Sequence, residues 1–317
     1  MKQKYFKLIN GILFITLLFI NGWIYVNRNN GYAYQATANY NQLYQLNDLS
    51  QWQQKSQYAT PKELVATQQI ISDSLQINKN ESDSIKIKKI AAYLLKNLND
   101  CRGIPIDSMN VISPLNQFNF AIAKKSKVWC GNFSTIFSYF ANSAGVLTRA
   151  IDIGGSVNSE TIAHHSFNEA FIKEINQWVL VDLTSNTLFL KSQTGGFLNT
   201  LDFYRAHLTN QQLHTISYKN DSIREIDYKE TKPFYNDYFS PNTSFVFYLS
   251  TQFDKNLYDF SSKIKRYFSK SPTFFTYSET KPTDNKKFYL KQFYFCVLLL
   301  FLVYWIGYTA IIYYRKK

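Results

Sequence analysis

His165-Ser166-Phe167-Asn168-Glu169-Ala170-Phe171-Ile172-Lys173-Glu174-Ile175-Asn176-Gln177-Trp178-Val179-Leu180-Val181-Asp182-Leu183-Thr184 is two β-type runs around a short polar break. Runs rich in β-branched and aromatic residues, joined by such a break, predict an antiparallel hairpin. Side chains alternate faces along a strand, so His165, Phe167, Glu169 and Phe171 share one face, and His164, Ser166 and Asn168 the other. On the returning run Trp178, Leu180 and Asp182 share a face. A turn centred near Glu174–Ile175 pairs residues whose numbers sum to about 349, which puts Asp182 within diagonal cross-strand reach of His165. A carboxylate so placed is able to hold an imidazole. Strand parity alone does not separate His165 from its neighbour His164.

Working outward toward the N-terminus, Val146–Ile153 is a third β-type run, and Cys130–Ala144 is the clearest helix in the chain. Phe133, Ile136, Phe137, Phe140 and Ala144 form one stripe at helical spacing, and Gly145 suits the C-terminal cap. Cys130 therefore falls at the helix start. There the positive end of the helix dipole and unpaired backbone N–H groups favour thiolate over thiol. The same N–H groups suit a developing oxyanion. A thiol, a histidine and a carboxylate in this order supply a nucleophile, a base and a group to orient the base.

The three phrases resemble the transglutaminase-like superfamily. Its typical pattern is a Gly/Asn-rich Cys helix with a Gly turn and a following Arg, then a His-Ala-Trp-x-Glu strand, then a Trp-x-x-x-Asp-Pro-Thr strand. Here these are met by Cys130 with Gly145 and Arg149, by His165 with Phe167 and Glu169, and by Trp178 with Asp182 and Thr184. Phe167 stands where the family has Trp, and Leu183 where it has Pro; neither change removes a catalytic atom. The resemblance covers about Lys88 to Leu190. It implies an α+β, papain-related fold with the Cys at a helix N-terminus packed on an antiparallel sheet. It also implies a Cys130–His165–Asp182 triad acting by thiol acyl transfer, with His165 rather than His164 as the base. For Glu169 and Arg149 a surface or hairpin salt bridge is expected, and Trp129 and Gln117 are candidates for shaping the oxyanion site.

The ends of the chain speak to compartment. Leu8 to Val26 is an uncharged apolar stretch preceded by Lys2, Lys4 and Lys7, and Phe293 to Tyr314 is a second one followed by Arg315, Lys316 and Lys317. Each is long enough for a bilayer core, which takes about 17–25 helical residues. The flanking cations put both termini in the cytoplasm and the middle of the chain on the far side of the inner membrane. A cleaved signal peptide is the alternative for the first stretch, but Asn21-Gly22-Trp23 is a poor cleavage site. The formal net charge is +13, of which seven charges belong to the six tail cations and Lys291, with no acid among those tails. Much of the basicity is thus topological, and nucleic-acid binding is not supported.

The expected organisation is an inner tail (1–7), a first span (8–26), a polar stalk and helical lead-in (27–87), the transglutaminase-like core (88–190), an accessory region (191–288), a second span (289–314) and a tail (315–317). Within it, Thr60-Pro61-Lys62-Glu63 starts a helix, and Ile85, Ile90, Ala91, Leu94, Leu95 and Leu98 give a second helix its apolar face. Cys101 to Phe118 reads as a loop; Leu201–Leu208 and Thr251–Tyr267 read as helical. His207 and His214 are expected on the surface, and Cys101 is expected free at an exposed helix end, since pairing with Cys130 would remove the nucleophile. No Cys/His spacing suits a metal, and no cofactor motif is present. The partners implied are the lipid bilayer, an extracytoplasmic protein or peptide substrate, and other surface-assembly components. Two alternatives stay open: a catalytically idle module serving assembly, and a papain-like or cell-wall peptidase.

Overall fold

The computed structural model describes residues 2–27, 32, 34–45, 49–52, 59–157, 160–249, 268–270, 274–280 and 284–314. The helix expected over 251–267 and the cations 315–317 lie outside these residues. The chain forms two units, one of residues 1–35, 260–272 and 283–317, the other of residues 36–259 and 273–282.

The first unit is built on two long helices, α1 (Lys2–Val26) and a C-terminal helix (Lys286–Tyr314). Both are long and apolar enough to cross a membrane. They run antiparallel: Phe6 meets Tyr308 with ring centroids 5.3 Å apart, Phe14 meets Trp305 at 5.2 Å, and the Asn21 amide donates to the Tyr294 carbonyl at 3.3 Å. Most of their outward apolar side chains, Ile15 and Val303 among them, are exposed. In water that surface is costly; in hydrocarbon it is not.

The second unit is an α+β structure. Its larger sheet takes the order β1-β9-β8-β2-β3-β4 and is antiparallel except for the β1–β9 pair. These strands are β1 (Ala36–Thr37), β2 (Thr148–Val157), β3 (Glu160–Ile172), β4 (Gln177–Val181), β8 (Ser244–Tyr248) and β9 (Phe274–Tyr277). A smaller antiparallel sheet holds β5 (Thr187–Ser192), β6 (Leu213–Lys219) and β7 (Ser222–Asp227). The β3–β4 hairpin pairs Phe171 with Trp178 and Asn168 with Val181, the register read from the sequence. Asn176 closes the turn in the left-handed region, where Asn is among the most tolerated residues.

The central sheet is buried on both faces, which is why β4 reads as an unbroken apolar run. Ala170, Ile172, Val179 and Val181 pack against the helical layer, while Phe167, Phe171, Trp178 and Leu180 pack into an aromatic layer. The helical layer comprises α3 (Pro61–Gln69), α4 (Asp83–Leu98), α5 (Pro114–Ile122) and α6 (Cys130–Ser143). Phe133, Ile136, Phe137 and Phe140 of α6 are all buried, each worth about 1.5–3 kcal/mol of transfer free energy. The aromatic layer draws on a short turn α2 (Tyr40–Tyr44), on α7 (Thr200–Leu208) and on α8 (Lys232–Asn236).

Several details differ from the sequence reading. Helix α5 begins at Pro114, inside the expected loop, because Ser113 caps it and Pro114 occupies its first position. Ile85 is 45% exposed, and Ile87 takes its place in the core. Leu43 and Trp52, in the stretch read as a stalk, are fully buried in the aromatic layer. Residues 191–288, read as an accessory region, contribute β8 and β9 to the central sheet.

Candidate active site

Helix α6 is fixed against β3 by hydrogen bonds one turn apart. Ser134 Oγ donates to the Phe167 carbonyl at 3.2 Å, and Asn168 Nδ2 donates to Ser138 Oγ at 2.8 Å. This register carries the first residue of the helix, Cys130, to the His165–Ser166 segment. At the helix start Asn132 Oδ1 accepts the Trp129 N–H at 3.3 Å, and Asn132 Nδ2 donates to Gln117 Oε1 at 2.9 Å. Burial works to raise the pKa of the half-buried Cys130 thiol. The hydrogen bond and charge of His165, then the backbone N–H groups of Ser166 and Gly131, outweigh burial and bring it below the ordinary thiol value.

His165 is buried, and its Nε2 lies 2.8 Å from Asp182 Oδ2. Its other ring nitrogen, Nδ1, is buried without a hydrogen-bond partner of ordinary geometry, and Cys130 is the group that acts on the ring from beyond the Asp182 side. Burial opposes the imidazolium, but the charge and hydrogen bond of Asp182, then those of Cys130, raise its pKa to about 9. At Asp182 burial favours the neutral acid; the His165 charge and hydrogen bond, with help from Tyr235 and Ser185, hold the carboxyl below its ordinary range instead. All three shifts run toward the charged form: thiolate at Cys130, imidazolium at His165 and carboxylate at Asp182.

Asp182 is held by its own turn. Its Oδ1 accepts the Thr184 N–H at 3.0 Å, capping the turn Leu183–Ser185, and its backbone pairs with Thr187 in both directions at 2.8 Å. Two residues outside the sequence reading complete the grip. Tyr235 Oη donates to Asp182 Oδ2 at 3.1 Å and lies 2.8 Å from Ser185 Oγ. Arg102 donates to the carbonyls of Leu183 and Thr184 and to Asn186 Oδ1, and lies over the Phe133 ring. Neither belongs to a motif: each reaches Asp182 or its turn from more than fifty residues away in sequence.

Around the imidazole, Tyr238, Phe234 and Phe167 have ring centroids at 4.7, 5.2 and 5.6 Å. His164 is exposed and lies on the opposite face of β3, across from Gly154. The two remaining members of the family pattern, Arg149 and Glu169, face each other across β2 and β3. They do form a salt bridge, with Nε to Oε2 at 2.7 Å, but a fully buried one rather than a surface one. Gln117 is committed to Asn132 and to the Ile112 carbonyl. Trp129 is 46% exposed, and its indole nitrogen lies 3.7 Å from where a Cβ on Gly131 would stand.

Cys101, Cys130 and Cys296 are all free. Cys101 is nonetheless buried rather than exposed, its thiol donating to the Ala121 carbonyl at 3.2 Å. His207, expected on the surface, is buried against Tyr228, 2.6 Å from its hydroxyl; burial, then Lys232, lowers its pKa to about 4. His214 is partly exposed and 3.8 Å from Glu225.

No family model matches the sequence, and no curated protein matches it. Among solved structures a distant match is to "a Putative Cysteine Protease from Cytophaga hutchinsonii". The similarity covers 44% of this chain and 42% of that one, with 14% sequence identity and a TM-score of 0.32. The chain thus spans less than half the length of the structure it matches.

Proposed function

We propose that the second unit is a thiol acyl-transfer enzyme of transglutaminase-like type, with Cys130 as nucleophile, His165 as acid and base, and Asp182 as the group that orients His165. One observation carries the reading. An imidazole held by a buried carboxylate at 2.8 Å through Nε2 also interacts with a cysteine at the start of a helix. The Cys130 thiolate attacks an amide or ester carbonyl, forming the carbon–sulfur bond. As the tetrahedral intermediate collapses, the carbon–nitrogen or carbon–oxygen bond breaks and the imidazolium proton passes to the departing group. Water or an amine then attacks the thioester, gives a proton to His165 and displaces the thiolate. The N–H groups at the start of α6 are donors for the oxyanion in both steps. Substrates are proteins or peptides on the outer side of the membrane.

An activity-based thiol probe tests the reading on the full chain in detergent. Labelling is expected at Cys130 and is lost in Cys130→Ala; labelling that persists in that variant, or never occurs in the folded wild type, overturns it. We also propose that both termini are cytoplasmic and residues 27–285 lie outside, from the flanking Lys and Arg and the antiparallel pairing of the two long helices. Reporter fusions active only outside are expected to be active near residue 200 and inactive at both ends, and the reverse pattern refutes this topology.

A further inference from the structure

The sheet face that receives α6 also carries a carboxylate one residue removed from the nucleophile. Ser166 touches both: its backbone N–H acts on the Cys130 sulfur, and its hydroxyl donates to Asp152 Oδ1 at 2.5 Å. On the far side Tyr248 Oη donates to Asp152 Oδ2. Asp152 pairs with Ser166 on β3 and with Val246 on β8, so the three strands place it in the sheet floor one strand away from the His165–Ser166 segment. This part of the floor is less deeply buried than the rest of the sheet. Asp152, Ser166, Ser244, Val246 and Tyr248 are all half-buried, whereas Phe245 and Phe247, pointing the other way, are fully buried.

Two hydroxyl bonds leave the carboxylate short of its capacity of about four. Among the described residues no lysine or arginine forms an ion pair with it, in contrast to Glu169, which has Arg149. A half-buried carboxylate with oriented hydroxyls and, among the described residues, no lysine or arginine partner is suited to receive a cation.

We infer that Asp152, framed by Ser166 and Tyr248, is a subsite for a cationic nitrogen of the substrate, a lysine-type primary ammonium, next to the Cys130 thiol. The inference rests on the acyl-transfer reading. The ammonium belongs to a basic side chain of the acyl donor: the amine that resolves the thioester must attack as a free base, and a nitrogen held as an ammonium at Asp152 has no lone pair to offer.

The test uses the full chain with Cys101 and Cys296 replaced by serine, so that Cys130 alone reports. Its modification is timed with a cationic aminoethyl methanethiosulfonate and an anionic sulfonatoethyl methanethiosulfonate, and the reading is the ratio of the two rates. A general change in thiol reactivity cancels in that ratio. Asp152→Asn, which keeps the shape, is expected to lower it by roughly tenfold, the scale of one charge-assisted bond, and to keep lowering it at high salt, where long-range fields are screened. Tyr248→Phe, which keeps the charge, is expected to lower it less. n-Butylammonium is expected to protect Cys130 from neutral iodoacetamide in the wild type and not in Asp152→Asn. A ratio indifferent to Asp152, or a difference that vanishes with salt, overturns the subsite while leaving the thiol's reactivity to speak for the catalytic reading. A Cys130 that iodoacetamide does not modify at all refutes the catalytic reading itself. After acylation with p-nitrophenyl acetate, deacylation by n-butylamine is expected to be the same in the wild type and in Asp152→Asn, and an amine-driven deacylation that depends on Asp152 overturns the assignment to the acyl donor.

Discussion

Two buried ion pairs occupy the same face of β3, four residues apart, and they are closed to very different degrees. At Arg149–Glu169 the guanidinium donates to Glu169 Oε2 and to the Leu43 carbonyl, and lies over the rings of Trp178, Trp52, Tyr44 and Phe247 at 4.3–4.9 Å. Glu169 Oε1 takes the Tyr44 hydroxyl and the Thr200 N–H. The pair ties β2, β3, α2 and the start of α7 together. At His165–Asp182 the carboxylate is equally well held, but the imidazole keeps one buried nitrogen, Nδ1, without a hydrogen bond of ordinary geometry, and Cys130 also acts on the ring. Arg149 Nη2 also lacks a hydrogen bond of ordinary geometry, but a guanidinium does not give up its proton, and that pair acts as a fastener; an imidazole with a nitrogen left over beside a thiol is a place where a proton can arrive and leave.

The largest expected effect falls on the closed pair. Arg149→Met strands the Glu169 charge and is expected to cost about 3–5 kcal/mol of stability. It should leave the apparent pKa of Cys130 in whatever fraction folds close to that of the wild type. Denaturant unfolding and pH-dependent alkylation of the full chain measure both; an Arg149 variant that loses only thiol acidity would erase the distinction between the pairs.

An intermediate effect belongs to the open pair, and it shows itself through pH. Cys130 alkylation in the wild type is expected to follow a pKa below the free-thiol value of about 8.5. His165→Ala should move it back toward that value, and His164→Ala should do less. Stability carries its own signature. The His165 pKa is raised on folding, so its contribution is complete below the ordinary histidine value of about 6.5 and is lost as pH rises toward about 9. The Asp182 pKa is depressed, so its contribution is present above the ordinary Asp value and is lost as pH falls through the folded one. Compared in a Cys130→Ser background, which removes the thiolate's opposing contribution and part of what raises the His165 pKa, Asp182→Asn should flatten the loss that sets in above about pH 6.5. An unchanged slope there would mean that the two residues are not coupled.

The smallest effect should come from Tyr235→Phe. Losing one hydroxyl from the Asp182 carboxylate is expected to cost about 0.5–1.5 kcal/mol and to raise the Cys130 pKa slightly. A thiol pKa that moves as far as in His165→Ala would promote Tyr235 from a support of the acid to a member of the proton path.

What was legible in the sequence was what depends on local period and order. The helical stripe of Phe133, Ile136, Phe137 and Phe140 set the start of α6 at Cys130. Alternation around Lys173–Gln177 fixed the β3–β4 register closely enough to bring Asp182 toward His165. Contacts between distant segments left no such trace. Tyr235 meets Asp182 across 53 residues, Arg102 meets the Asp182 turn across more than eighty, and Tyr248 meets Asp152 across 96. Nor did pattern disclose that Arg149 and Glu169 are buried, because two charges read as surface until the four rings around them are seen together.

The antiparallel pairing of the two long helices also constrains how the protein is made. Phe14 and Asn21 of α1 find Trp305 and Tyr294 only after every residue from 27 to 285 has been synthesised. At about 5–20 residues per second, that is a wait on the order of tens of seconds. On the proposed topology, α1 lodges in the bilayer alone through that interval, with the Asn21 amide donating to the Leu17 carbonyl one turn back. The chain between, Cys130, His165 and Asp182 included, then begins folding tethered at a single end.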